Sequence, residues 1–326
     1  MVLVGLVCAV LGIASIARGT SPPSPAAAPD QPTSRVPSTS GPPLVDMSDV
    51  TGLTMSKGRA SLDDVRKAAP GTTVSVRTVI VGRDLRGSLV IAPATQTGPL
   101  PLIVVMHGVD ESAAAESLRD EFIPLVTAGK AVLLYPAGYH ESWNIGVDGC
   151  CGAAASAGVD DVAFVKAAVG DAIAHLQVDP ARVDLVGFSN GGKLAYQVQC
   201  QAPQLFARLA VVAAVPVSTC TSTAASVPVF ISVGTSDTDL PIKGHTESPL
   251  TALATAVTTF RARDGCSAAT STTSVDAATI TTYPDCSGGE VETVTYSNLA
   301  HYWPTAALVG SAASGANLVW AFLSPA

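Results

Sequence analysis

The chain reads as an α/β protein, a mostly parallel sheet of about eight strands flanked by helices. Three observations predict this. Short apolar runs bounded by turn residues alternate with longer segments that read as helices, such as 193–200, which has no Gly or Pro. Some runs, Leu102-Ile103-Val104-Val105-Met106-His107 foremost, are apolar without alternation, as a strand covered on both faces must be. Chemically reactive side chains gather just after these runs, at the strand ends where open α/β sheets hold their ligands. With 326 residues and 48% hydrophobic content the chain can fill one large core.

In order, residues 73–81 and 87–91 read as an opening hairpin, the first arm alternating polar and apolar. The apolar run at 102–107 is the next strand, and 111–126 reads as a helix broken near Pro124. Residues 131–135 form a strand, and 136–158 a long loop. A helix starts near Asp160-Asp161, whose charges suit a helix N-terminus, and runs to Leu176. Residues 182–186 are a short buried strand, followed by a helix that includes 193–200. Strands follow at 209–215 and 229–233, then a helix over about 249–263. Two β-rich stretches, 272–283 and 291–297, precede a last helix near 313–322. Strands alternating with helices imply right-handed crossovers, and no internal repeat is visible.

The amino-terminal residues stand apart. Residues 2–17 are almost wholly apolar yet shorter than the ~20 residues of a spanning helix, and Ser15-Ile16-Ala17 offers a small-x-small cleavage site. Residues 1–17 are therefore expected to be a signal peptide, with an uncleaved anchor as the alternative. The missing basic residues ahead of the apolar run suggest a start further upstream. Residues 18–43, rich in Pro, Ser, Thr and Ala, are expected to be a disordered linker. Residues 44–326 form the expected catalytic domain. A net charge of −8 argues against nucleic acid or an anionic membrane surface as partner, leaving the N-terminal segment as the one route to a membrane. A monomer is expected.

Cysteine usage agrees with a secreted or cell-envelope location. Without Cys8, six remain, an even number that suggests disulfides. Cys266 and Cys286 flank one Thr-rich segment and are expected to pair. Adjacent Cys150 and Cys151 would close a strained ring with each other, so separate partners among Cys200 and Cys220 are expected. Cys220 is favoured because it follows a strand on the catalytic edge. No Cys-x-x-Cys or His-x-x-His spacing occurs, so no metal site is expected.

The chemistry centres on Gly187-Phe188-Ser189-Asn190-Gly191-Gly192, set between a strand and a helix. Strand, Gly-x-Ser-x-Gly, helix is the context of a nucleophile elbow, in which the helix N-terminus faces any oxyanion formed at the serine. Asp237 follows the strand at 229–233, and His301 follows the last strand. Serine, acid, histidine is the order of a hydrolytic triad on such a sheet: His301 takes the proton of Ser189, and Asp237 orients the imidazole. Asp239 competes with Asp237, but it precedes Leu240-Pro241 and is further from the strand. His107-Gly108-Val109-Asp110 ends the third strand, where the N–H of Val109 with that of Asn190 would form an oxyanion hole. His107, Trp143 and Trp303 are candidate residues on the substrate side. The His107 ring would brace the loop, and the tryptophans, on loops at this edge, would offer faces for stacking on a sugar or phenolic ring.

Taken together, His107-Gly108, Trp143-Asn144, Cys150-Cys151, Asp160-Asp161-Val162-Ala163-Phe164, 178–183, 187–192, Gly234-Thr235-Ser236-Asp237 and His301-Tyr302-Trp303-Pro304 resemble one esterase family. It includes polyhydroxybutyrate depolymerases, feruloyl esterases and acetylxylan esterases, within the α/β-hydrolase superfamily. The resemblance spans roughly residues 99–304 and places the family's nucleophile, acid and base on Ser189, Asp237 and His301. It implies a secreted, cofactor-free serine esterase acting on a small-molecule or polymer ester, through an acyl-enzyme. Hydroxyalkanoate oligomers and feruloyl or acetyl esters of polysaccharide remain open as substrates. The chain departs from the family pattern at Val109-Asp110-Glu111, at Lys193 and at Leu299-Ala300. Two other readings stay open, a serine peptidase of the same superfamily and an inactive envelope binding protein.

Overall fold

A computed structural model describes residues 60–146, 150–220, 227–242, 244, 246–268 and 270–324. All lie in the unit Val45–Ala326. The expected leader and linker fall outside the described residues.

Among the described residues the sheet has ten strands, in the order β1-β2-β4-β3-β5-β6-β7-β10-β9-β8. They are β1 (Thr72–Val81), β2 (Asp84–Pro93), β3 (Leu100–Met106), β4 (Val132–Pro136), β5 (Val178–Phe188), β6 (Arg208–Val212), β7 (Val229–Gly234), β8 (Ser271–Val275), β9 (Ala278–Tyr283) and β10 (Val291–Tyr296). The middle of the sheet, from β4 to β10, is parallel throughout. Antiparallel partners border it, β1 and β2 on one side and β9 and β8 on the other.

The expected count of about eight strands is corrected to ten. The stretch at 272–283 is not continuous. It folds back at Asp276, whose φ of 47° suits a tight turn, and yields β8 and β9.

Helices cover both faces, because successive residues of the central strands point opposite ways. Leu102, Val104 and Met106 join one core cluster, whereas Ile103 and Val105 join the other. The first cluster packs under α5 (Asp161–His175), α6 (Ser189–Gln201) and α7 (Pro249–Asp264), through Phe164, Leu194, Val198 and Phe260. The second packs under α1 (Leu62–Ala68), α2 (Ala113–Arg119), α3 (Ile123–Thr127) and α9 (Gly315–Leu323), through Val65, Ala113, Ile123 and Phe322.

Several helix starts follow from single side chains. Ser61, Ser112, Asp160, Ser248 and Ser314 each accept a backbone N–H of the first turn of the helix they precede. Pro124 does not break the helix expected at 111–126. The break comes earlier, where Asp120 accepts the Phe122 N–H and Glu121 takes a positive φ. Pro124 then sits in the first turn of α3, where its missing N–H costs nothing. The loop expected at 136–158 contains a short helix, α4 (Ala153–Ala157), and α8 (Ala306–Val309) precedes the final helix.

Candidate active site

Ser189 opens α6 directly after β5, with φ 53°, in the left-handed region that side chains rarely adopt. The flanking glycines make this turn sterically feasible. A Cβ on Gly187 would lie 2.6 Å from the Gly191 carbonyl oxygen. Ser189 Oγ is 2.6 Å from His301 Nε2, and His301 Nδ1 is 2.8 Å from Asp237 Oδ2. The three residues come from the ends of β5, β10 and β7, all on one edge of the parallel sheet.

The acid and base loops are stitched together by backbone. Thr235 donates to the Tyr296 carbonyl at 2.9 Å, Ser236 to that of Leu299 at 3.0 Å, and Asn298 to Thr235 Oγ1 at 2.9 Å. Asp237 is buried, and its Oδ1 accepts the Asp239 N–H at 2.8 Å. Asp239 thus reaches Asp237 with its backbone, while Asp237 meets the imidazole of His301.

The loop after β3 is held on both sides of Val109. Gly108 donates its N–H to Glu111 Oε2 at 3.0 Å, and Asp110 donates to the Glu141 carbonyl at 2.8 Å. Asn190 is the second residue of α6, where backbone N–H groups have no intrahelical acceptor. Its side chain is occupied elsewhere: Oδ1 accepts the Trp143 N–H at 2.8 Å, and Nδ2 donates to the Trp143 carbonyl.

Two expectations on the substrate side are corrected, and His107 takes the bracing place expected of its ring rather than one against substrate. Trp143 and Trp303 are fully buried, so neither offers a face to a ligand. Trp143 donates Nε1–H to the His107 carbonyl and packs between His107 and Phe164. Trp303 packs edge-on against Phe122 and Phe188. His107 is also fully buried. Its Nε2 accepts the Gly138 N–H at 2.9 Å, and burial pushes the imidazole down to about 4. It is a neutral brace between two loops. The aromatic that is open beside the base is Tyr302, 61% exposed, which the sequence reading passed over within His301-Tyr302-Trp303.

Other residues of the surroundings were also missed. Asp161 accepts the Asn144 N–H at 2.7 Å and pairs with Arg86 at 2.8 Å, fixing the loop after β4. Lys193 is buried on α6; burial lowers its ammonium, while the charges of Asp237 and Asp239 push back. Arg119 bridges Glu111 and Glu116. Glu111 and Lys193 carried a signal as departures from the family pattern, and Asp161 as part of a matched piece.

The cysteines bond as Cys150–Cys151, Cys200–Cys220 and Cys266–Cys286. The expected separation of Cys150 and Cys151 is therefore corrected, and Cys200 is the partner of Cys220. A cavity of about 990 Å³ lies between α6 and α7, lined by Tyr196, Gln199, the Cys200–Cys220 bridge and Phe260. Ser189, Asp237 and His301 do not line it. Among the described residues no group of three or more His, Cys, Asp or Glu is placed to hold a metal, and no helix is long and apolar enough to cross a membrane.

A parallel sheet wrapped by helices, with a serine elbow after a central strand and acid and histidine loops on the same edge, defines the α/β-hydrolase class. The profile of the esterase PHB depolymerase family matches residues 85–282, and the chain belongs to that family. Among curated proteins it is 29% identical, over 157 residues, to "Putative esterase NocK" of Nocardia uniformis subsp. tsuyamanensis; this covers 45% of the chain and 43% of that relative's length. Among solved structures it is similar to an acetyl xylan esterase from Aspergillus awamori, at TM-score 0.54 and 14% identity, covering 71% of this chain and 95% of that one. It is also similar to a "Putative Dienelactone Hydrolase" from Klebsiella pneumoniae subsp. pneumoniae, at TM-score 0.52 and 16% identity, covering 79% and 100%. At these identities the structures share the fold.

Proposed function

We propose that the chain is a serine carboxylic-ester hydrolase working through an acyl-enzyme. The observation that carries this reading is the relay from Ser189 Oγ to His301 Nε2 at 2.6 Å and from His301 Nδ1 to Asp237 at 2.8 Å. Ser189 Oγ attacks the ester carbonyl as His301 Nε2 takes its proton, and the imidazolium so formed is stabilised by Asp237. The N–H groups of Val109 and Asn190 receive the oxyanion. The tetrahedral intermediate expels the alkoxide, which takes the proton from His301 and leaves as the alcohol. Water, deprotonated by His301, then attacks the acyl-enzyme and releases the acid and free Ser189.

The substrates are esters of hydroxyalkanoate oligomers or feruloyl and acetyl esters of polysaccharide, with exposed Tyr302 the aromatic contact at the rim. The three disulfides support an oxidising, exported location. A panel of nitrophenyl esters, methyl ferulate, acetylated xylan and hydroxybutyrate oligomers tests the activity, alongside labelling with a fluorophosphonate. Wild type is expected to be labelled and Ser189→Ala to be neither labelled nor active. An active Ser189→Ala protein would sink the reading.

A further inference from the structure

One guanidinium touches both halves of the catalytic edge. Glu111 spans two partners, its Oε2 accepting the Gly108 N–H at 3.0 Å and its Oε1 accepting from Arg119 Nη1 at 2.5 Å. Arg119 holds the buried carboxylate of Glu116 with Nη2. Its Cζ lies 4.1 Å over the ring of Phe188, the residue immediately before the nucleophile. The Phe188 ring is in turn 5.6 Å from that of His301. Gly108 packs on the same ring so closely that a Cβ there would lie 2.9 Å from it.

We infer that Arg119 and Glu111 are positioning residues for the ester hydrolysis, a brace that holds the Val109 N–H against the nucleophile elbow and the base. This rests on the esterase reading above.

The chain pathway supports it. Arg119 ends α2, and Glu111 belongs to the loop that leads into α2, so the ion pair closes that loop on its own helix. The Gly108 N–H is thereby committed to a carboxylate on one side of Val109, and the Asp110 N–H to the Glu141 carbonyl on the other, which pins the backbone that carries the Val109 N–H. On the other side the cation rests on the face of Phe188, where the ring quadrupole attracts it. The arrangement concentrates charge in a costly place. Burial works against the Arg119 cation, and the charges of Glu116, Glu111 and Asp120 outweigh it. Burial also pushes the Glu116 carboxyl well above its usual range, with Arg119 opposing. A pair of apolar side chains would fill this volume without that cost, but they would not grip a backbone N–H. Neither Arg119 nor Glu111 is assigned a contact with substrate. Their effect runs through Gly108 and Phe188.

The test compares Glu111→Ala, Glu111→Gln and Arg119→Met with wild type and Ser189→Ala. A trifluoromethyl ketone, whose hemiketal oxyanion occupies the hole, reports transition-state geometry separately from ground-state binding. Glu111→Ala and Arg119→Met are expected to lose about 100-fold in kcat, the scale of a reacting group misplaced by about 1 Å, with KM changed less than about threefold. The inhibition constant of the ketone rises by a similar factor, and melting temperature changes do not track the loss. Glu111→Gln keeps an acceptor for Gly108 but not the ion pair, and is expected to fall between. It also serves if Arg119→Met does not fold. Folded variants with wild-type kcat and wild-type ketone affinity would overturn the brace and leave the esterase reading standing. A wild type that is neither labelled at Ser189 nor active on any ester would overturn both.

Discussion

Asp237 and Asp239 stand two apart on one loop, and only one can orient the base. The geometry divides the work: Asp237 Oδ2 meets His301, and Asp239 offers its backbone N–H to Asp237 Oδ1. Asp237→Asn is expected to lower kcat on the order of 10⁴-fold while the protein stays folded, because the imidazole loses its tautomer and charge partner. Asp239→Asn keeps the N–H and should change kcat by less than about tenfold. The reverse ranking on one nitrophenyl ester would remove Asp237 from the triad. Ser189, Asp237 and His301 can be grouped from the sequence because each follows a strand and strand ends on a parallel sheet share an edge, and hydrogen bonds join the three. Trp143 and Trp303 were placed on the same edge by the same logic, yet both point inward. Position after a strand says where a residue's backbone is, not which way its side chain turns. Trp143→Ala should therefore cost about 3–5 kcal/mol of stability, as large buried aromatics do, rather than act through KM. Urea unfolding beside ester kinetics separates the two. A rise in KM at unchanged stability would restore the stacking role.

Among the elements, the long helices and the central strands were legible, the strands because unbroken apolar runs are a local signal, whereas the short helices α1, α4 and α8 were not. The connections were less legible than the strands. Cys200 ends up bonded to Cys220, although one closes α6 at the far end and the other follows a strand on the catalytic edge. Distance does not forbid it. A helix of 13 residues is about 20 Å long, and the eight residues from 213 to 220 can span about 26 Å when extended. The sequence shows no direction for that return, so the pairing was assigned elsewhere. Cys200–Cys220 and Cys266–Cys286 both join residues 20 apart. By loop-closure entropy each should contribute about 3 kcal/mol. Replacing either pair by serine is expected to lower the urea midpoint by a similar amount. If only the Cys266, Cys286 double variant loses stability, the Cys200–Cys220 bond does not restrain the unfolded chain in this way.

Across the whole molecule, buried ionisable groups set how stability depends on pH, and their signs differ. Burial raises Asp184 to about 7 against the opposing charges of Arg208 and Arg182, and it also raises Asp120 to about 7. Each native carboxyl keeps a proton that the unfolded chain releases near pH 3.9. The stability each gives is complete below about 3.9 and is lost as pH rises towards 7. His107 runs the other way. Its native imidazole, lowered to about 4, refuses a proton that the unfolded chain takes up near 6.5, so its share is lost as pH falls between those values. In the window they share the carboxyls outnumber the imidazole, and Glu292, raised to about 7 by burial and by Glu290, adds to them. Stability should therefore decline from about pH 4 to about pH 7 in urea titrations. Asp184 isolates one contribution, because it sits almost fully buried in β5, paired in register with Ile103 on one side and Arg208 on the other. Asn is neutral at every pH, so Asp184→Asn removes one proton from the slope. The variant is expected to match wild type near pH 4 and to exceed it by up to about 4 kcal/mol at pH 8, where wild type must ionise a buried acid. A variant that is instead weaker than wild type at pH 8 and equal to it at pH 4 would mean that Asp184 folds as a carboxylate paired with Arg208, with the opposite sign of linkage.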